Sequence, residues 1–195
     1  MDEADLIAAA QQGKVEAFNE LVLTYQHQVY NLAYRIMGDP ASASDAAQDA
    51  FISAFEHITD FRGGSFKSYL LRIVSNRCYD VLRRRKRRPA TSFEDFGDID
   101  EDSNPVLING QEGPEKYVER QEIAHMIQAG IETLPADQRI TLVLSDVQGL
   151  SYQEIADATD VALGTVKSRL ARARGKLRDY LRTQGELLPA RYRLE

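Results

Sequence analysis

The sequence contains a single cysteine, Cys78, among 195 residues. One thiol excludes a disulfide framework within the chain and a cysteine-rich zinc site, and it suits a reducing compartment. A secretory leader is not expected either, since the sequence opens on the acidic run Met1-Asp2-Glu3-Ala4-Asp5 with no basic region followed by an apolar run. No stretch approaches the roughly 20 apolar residues needed to span a bilayer. The expectation is a cytoplasmic protein, neither exported nor inserted in a membrane. Signatures of catalysis are equally scarce. His27, His57 and His125 are scattered, with no second ligand at metal spacing and no H-E-x-x-H. Gly63-Gly64 lacks the lysine and preceding strand of a phosphate-cradling loop. Cys78, between Arg77 and Tyr79, has no histidine or asparagine motif to mark it as a nucleophile, so a buried, inert thiol is expected. These absences point to no enzyme, no metal and no cofactor. No alternating pattern long enough for a strand appears, nor any internal repeat, which leaves an all-α chain.

What is present is an uneven distribution of charge. The net charge of −6 argues against nucleic-acid binding only if it is evenly spread. Residues 1–60 hold ten acids against Lys14 and Arg35, whereas residues 61–90 hold ten bases against Asp80. Residues 91–119 return to nine acids against Lys116, and residues 162–182 carry seven bases against Asp179. Two basic blocks therefore sit in an acidic chain. Screening confines charge effects to about 10 Å at ordinary salt, so a phosphate backbone responds to these blocks rather than to the sum.

The apolar pattern divides the chain further. Phe18, Leu21, Val22, Tyr25, Val29, Leu32, Ala33 and Ile36 recur at spacings of three and four, which predicts a long amphipathic helix ended by Gly38-Asp39-Pro40. Ser42 and Asp45 suggest a capping box opening a second helix to about Ile58, with Ala47, Ala50, Phe51, Ala54 and Phe55 inward. After Gly63-Gly64 a third helix is predicted from Ser65 to about Arg85, before Pro89. Residues 90–114 have no helical period and many acids, as expected of a flexible linker. Helical pattern resumes with Val118, Ile123, Ile127, Ile131 and Leu134, breaks at Pro135, and returns with Ile140, Leu142, Val143 and Leu144 before Gly149. Two small helical domains are expected, over 1–89 and 115–182, with a tail at 183–195 to which no function is assigned.

The segment LSYQEIADATDVALGTVKSRLARARGKLRDYL reads as a helix-turn-helix. Ser151 and Glu154 form a capping box, Ile155 and the small Ala156 face the core where two helices cross, and Asp160 tolerates the left-handed turn that follows. The second helix, from about Leu163, places Val166 and Leu170 inward and Lys167, Ser168, Arg169, Arg172 and Arg174 outward. Arginine or lysine at the start of such a helix can meet guanine in the major groove, and the later bases can meet phosphates. The third helix has its own pattern: Tyr69, Arg72, Asn76 and Arg83 suit unstacked bases, which are held by stacking and positive charge. Tyr69 and Ile73 also stand at core spacing, so packing alone could account for them.

In this order the motifs resemble the sigma-70 family, specifically its extracytoplasmic-function group, over nearly the whole chain. DAAQDAFISAFEHI is similar to the family's polymerase-binding helix, FRGGSFKSYLLRIVSNRC to its minus-10 reading and melting segment, and LPADQRITLVLSDVQGLSYQEIADATDVALGTVKSRLARAR to its minus-35 domain. The resemblance implies that 1–89 is region 2 and 115–182 region 4. It implies that Asp45, Gln48, Asp49, Phe51 and Phe55 contact core RNA polymerase. Phe61, Arg62, Gly63, Gly64, Ser65, Ile73 and Asn76 would trap a base flipped from the minus-10 strand, with Tyr69, Arg72 and Arg83 beside them. Gly164, Thr165, Lys167, Ser168, Arg169, Arg172 and Arg174 would meet minus-35 DNA. The loop is shorter than in some members, and Tyr69 stands where many have tryptophan. The linker would thread the polymerase cleft, or serve only as a solvated tether. Partners implied are core RNA polymerase, promoter DNA and an anti-sigma factor. Two other readings are a conventional helix-turn-helix regulator, which leaves the third helix without a purpose, and a sigma mimic that sequesters an anti-sigma protein, against which Lys167, Arg169 and Arg172 speak.

Overall fold

Helices make up every long element of this computed structural model, which describes residues 2–87 and 114–184. The first, α1 (Glu3–Gln11), starts where the Asp2 carboxylate accepts from the Asp5 N–H at 2.8 Å. Its Ala8-Ala9-Ala10 run favours helix, but Ala10 is its one buried residue. α2 (Val15–Met37) buries Phe18, Leu21, Val29, Leu32, Ala33 and Ile36, the periodic stripe foreseen for it. Gly38 closes it in the left-handed region, φ 84°, where its N–H bonds to the Tyr34 carbonyl at 2.9 Å.

α3 (Pro40–Glu56) begins earlier than Ser42 and Asp45 suggested. Its cap is Asp39, whose carboxylate accepts from the Ser42 N–H at 2.7 Å, with Pro40 pre-set for the first turn. Ser42 is thus the capped residue, not the cap. The inward face is almost pure alanine, Ala43, Ala46, Ala47, Ala50 and Ala54, so the neighbouring helices can approach closely. A short 3₁₀ turn, Ile58–Asp60, leads through Gly63 and Gly64 into α4 (Phe66–Arg87). Phe66, Leu70, Leu71, Val74 and Cys78 of α4 complete this half's core, and Arg84–Arg87 lie at its C-terminal end, where the helix dipole favours positive charge.

The second half comprises α5 (Pro114–Glu132), α6 (Ala136–Leu142) and a π-type turn at Val143–Val147, then α7 (Tyr152–Thr159) and α8 (Leu163–Thr183). Pro135 separates α5 from α6, as its position required. α5 meets α8 through Gly130, where any side chain would collide with Leu177 and Tyr180. Among the described residues there are eight α-helices and no strand. The linker expected over 90–114 lies, up to residue 113, outside the described residues, and so does the tail from residue 185 onward.

The two halves pack on each other, and their buried apolar residues form one continuous cluster. Arg139 on α6 donates to the Ile36 carbonyl of α2 at 2.6 Å, and Arg35 to Gln128 Oε1 at 3.2 Å. Lys67 and Ser68 of α4 donate to the Gln148 carbonyl at 3.3 Å and to Glu154 Oε1 at 3.0 Å. The first turn of α4 is therefore fastened to the start of the helix-turn-helix.

Candidate nucleic-acid interface

The helix-turn-helix is assembled from local signals. Ser151 Oγ accepts from the Glu154 N–H at 3.3 Å while Glu154 Oε2 accepts from the Ser151 N–H at 2.9 Å, a reciprocal capping box. The Glu154 carboxylate accepts from the Ser151 N–H, from Ser151 Oγ at 2.8 Å and from Ser68, and these bonds hold it below the usual range. Ile155 and Ala156 are buried, and Asp160 turns the chain at φ 51°, ψ 49°, the left-handed geometry that its position demanded. α8 then buries Val166, Leu170 and Ala173, which turns Gly164, Lys167 and Arg172 out to solvent and leaves Thr165 and Ser168 at half exposure.

Two of the expected DNA-facing arginines have partners already. Arg169 Nε lies 3.2 Å from Asp137 Oδ2 on α6. Arg174 makes a two-pronged pair with Asp146, at 2.9 and 2.6 Å, which holds the Asp146 carboxyl low and fastens the π-type turn to α8. Arg174 thus secures the packing of this half, while Lys167 and Arg172 remain open.

On α4, Arg72, Asn76 and Arg83 are exposed along the outer face, and Ile73 is half-buried. Arg62, Gly63, Gly64 and Ser65 form an exposed loop above an aromatic floor. In that floor Phe61 meets Phe66 edge-on at 5.5 Å and Tyr69 at 5.3 Å, and Tyr25 meets Phe66 at 5.8 Å. The Tyr69 hydroxyl donates to the His57 carbonyl at 3.2 Å. Tyr69 therefore supports the loop from below, half-buried, rather than standing free as a stacking platform. Asn76 and Tyr79 face Asp137 and Arg169 across a crevice of about 180 Å³, so residues expected to read two separate DNA elements share one cleft.

A third surface lies on α3. Asp45, Gln48 and Asp49 are exposed on one stripe, whereas Phe51 and Phe55 are half-buried, Phe55 against Phe18 at 5.0 Å. Ile52, 51% exposed, continues that stripe one turn on. Elsewhere Cys78 is fully buried, which pushes its thiol up to about 12. Among the described residues no group of three histidine, cysteine or acidic side chains is placed to hold a metal, and no helix is long and apolar enough to cross a membrane.

Comparison with known proteins gives this geometry its family. Residues 21–88 match Sigma-70 region 2 and residues 124–177 match Sigma-70, region 4. The chain is a sigma factor of the sigma-70 family, in the extracytoplasmic-function group. It is 37% identical over 176 residues to the ECF RNA polymerase sigma factor SigE of Mycolicibacterium smegmatis, covering 89% of this chain and 65% of that protein's length. Identity to the RNA polymerase sigma-H factor of Pseudomonas aeruginosa is 38%, covering 88% of this chain and 90% of that one. To the ECF RNA polymerase sigma-E factor of Escherichia coli it is 36%, covering 87% and 88%. Among solved structures, CnrH in complex with the cytosolic domain of CnrY matches with a TM-score of 0.64 at 24% identity, over 90% of this chain and 94% of that one. RpoE bound to the anti-sigma factor NepR from Bartonella quintana matches with a TM-score of 0.61 at 24% identity, over 84% and 96%. At that identity the likeness is one of fold.

Sequence reasoning missed three features of this sigma factor. α1 precedes the region 2 match and has no one-sided apolar pattern. Ile52 was visible as the apolar residue on the acidic stripe of α3. Asp137, which holds Arg169, lies on another helix, and only its acidic character in a helix's first turn could have drawn notice.

Proposed function

We propose that this sigma factor binds core RNA polymerase through the outer stripe of α3 and directs it to promoters read at two elements. Asp45, Gln48 and Asp49 make the polymerase contact, with Ile52 as its apolar centre and Phe51 and Phe55 beneath. The loop Phe61–Ser65, with Tyr69 under it and Arg72, Ile73, Asn76 and Arg83 following one another along α4, takes the minus-10 strand. Flipping a base there costs a few kcal/mol that the pocket must offset. Gly164, Thr165, Lys167, Ser168, Arg169 and Arg172 enter the major groove at minus-35, and Arg174 holds their helix in place. One observation carries this reading: the two basic blocks of an acidic chain fold into two exposed helix faces, one beneath a glycine loop and one in a capped helix-turn-helix.

The units are residues 1–89 for region 2 and 115–182 for region 4, and the chain acts in the cytoplasm as a subunit without chemistry of its own. An anti-sigma factor restrains it, in keeping with the anti-sigma factor NepR named with RpoE of Bartonella quintana. Run-off transcription tests the proposal, using core polymerase from the same cell and its genomic fragments. Discrete transcripts that disappear with Asn76→Ala or Arg169→Ala are expected. Tight core binding without any transcript would favour a mimic that sequesters an anti-sigma protein.

A further inference from the structure

α1 lies outside the segment that matches region 2, which begins at residue 21, yet it holds the root of the proposed minus-10 loop. Gln11, the last residue of α1, donates Nε2 to two carbonyls, that of Ile58 at 3.0 Å and that of Phe61 at 2.9 Å. Both N–H groups of one amide are used, and they close on the two ends of the 3₁₀ turn that delivers the chain to Arg62. At its other end Ser65 is held by the Ser68 and Tyr69 N–H groups, which donate to its Oγ and carbonyl at 3.1 Å, and between the two anchors the loop rests on glycine. Gly63 and Gly64 stand at φ 103° and 91°, in open space, with the conformational freedom that only glycine has there. α1 also faces the loop across a groove of about 470 Å³, walled by Ala4 and Ile7 on one side and Arg62, Gly63 and Gly64 on the other.

We infer that Gln11 is a positioning residue for promoter opening: it holds Ile58 and Phe61 together so that Arg62–Ser65 stand ordered before an unstacked base arrives. Two glycines make the loop costly to order at the moment of binding. Fixing its root beforehand removes part of that cost and so raises affinity for the single strand. The inference rests on the assignment of Phe61–Ser65 to the minus-10 strand. Gln11 itself need not touch DNA.

The test substitutes Gln11→Met, which keeps length and removes both donors, in holoenzyme formed with core polymerase. The probe is a fluorescein-labelled single-stranded dodecamer selected by the wild-type holoenzyme from a random pool. Its affinity should fall on the order of tenfold, the combined worth of two ordinary hydrogen bonds. Amide exchange should quicken at Thr59–Ser65 alone, with core affinity unchanged and the melting temperature lowered by no more than a few degrees. Arg62→Ala and Asn76→Ala serve as references in the same assay. Unchanged strand affinity in Gln11→Met, with losses in both references, overturns the role of Gln11 and leaves the loop assignment standing. Unchanged affinity in all three overturns the loop assignment as well. Equal losses of strand affinity, core affinity and melting temperature in Gln11→Met would make the residue merely structural, and would also overturn the inference.

Discussion

Asp137→Asn should strengthen minus-35 binding, although it removes an ion pair. Arg169 is held by Asp137 at 3.2 Å, and the two side chains are 22% and 36% exposed. Both belong to the second half of the molecule, so if Arg169 meets DNA as proposed, Asp137 competes for its guanidinium. A partly exposed pair is worth about 0.2–1 kcal/mol. With about 1.4 kcal/mol per tenfold, its removal should raise affinity roughly 1.4- to 5-fold. The same carboxylate stands in the first turn of α6, where it favours the helix by about 0.3–1 kcal/mol, so the variant should also melt a few degrees lower. The assay is fluorescence anisotropy of holoenzyme on a duplex bearing only the minus-35 element, in both the native and Arg169→Ala backgrounds. The cycle separates release of Arg169 from the general gain of removing an acid near phosphate. Weaker binding by Asp137→Asn with Arg169 present would refute the reasoning, because Asp137 would then be orienting the arginine rather than withholding it.

Three further outcomes are expected. Ile52→Glu, at an exposed site on α3, should weaken core polymerase binding at least tenfold in a fluorescence titration while leaving the melting temperature unchanged. Asp160→Gly should raise stability by about 1 kcal/mol in urea denaturation, because φ 51° costs an L-residue energy that glycine does not incur. Acid should destabilise the helix-turn-helix. The Glu154 carboxyl is lowered in the folded chain, chiefly by the Ser151 backbone bond, so its contribution is complete above the ordinary value of 4.5 and fades as pH falls through the lower folded value. Asp146, lowered by Arg174, fades with the same sign. Circular dichroism melts between pH 6 and pH 3 should show the loss, and Glu154→Gln should flatten it.

Local signals were legible in the sequence because their causes are local. The Ser151–Glu154 box, the left-handed Asp160 and the inward Val166 and Leu170 depend on neighbours within a few residues, and each stands where the sequence placed it. The α2 stripe and the break at Pro135 were readable for the same reason. The start of α3 was misread because Asp39 and Ser42 are both good caps, and only Pro40 decides between them. α1 escaped notice because an alanine-rich helix with one buried residue leaves no periodic trace. What the sequence could not carry is pairing between distant segments. Asp137 with Arg169, Asp146 with Arg174, and Gln11 with the carbonyls of Ile58 and Phe61 join residues that only the fold brings together.

The crevice between α4 and the second half has a thermodynamic consequence. Asn76 and Arg169 face each other across it, while Lys67 and Ser68 are bonded to the second half, so on the proposed reading, in which the two residues meet different promoter elements, the halves must part before both can do so. Separation is then a single step that polymerase and promoter both favour. Linkage makes the favour mutual: by whatever factor core polymerase tightens this chain's hold on DNA, the promoter tightens its hold on polymerase. A promoter with a stronger minus-35 element should therefore retain the sigma subunit longer on the enzyme, with no change in any residue that polymerase touches.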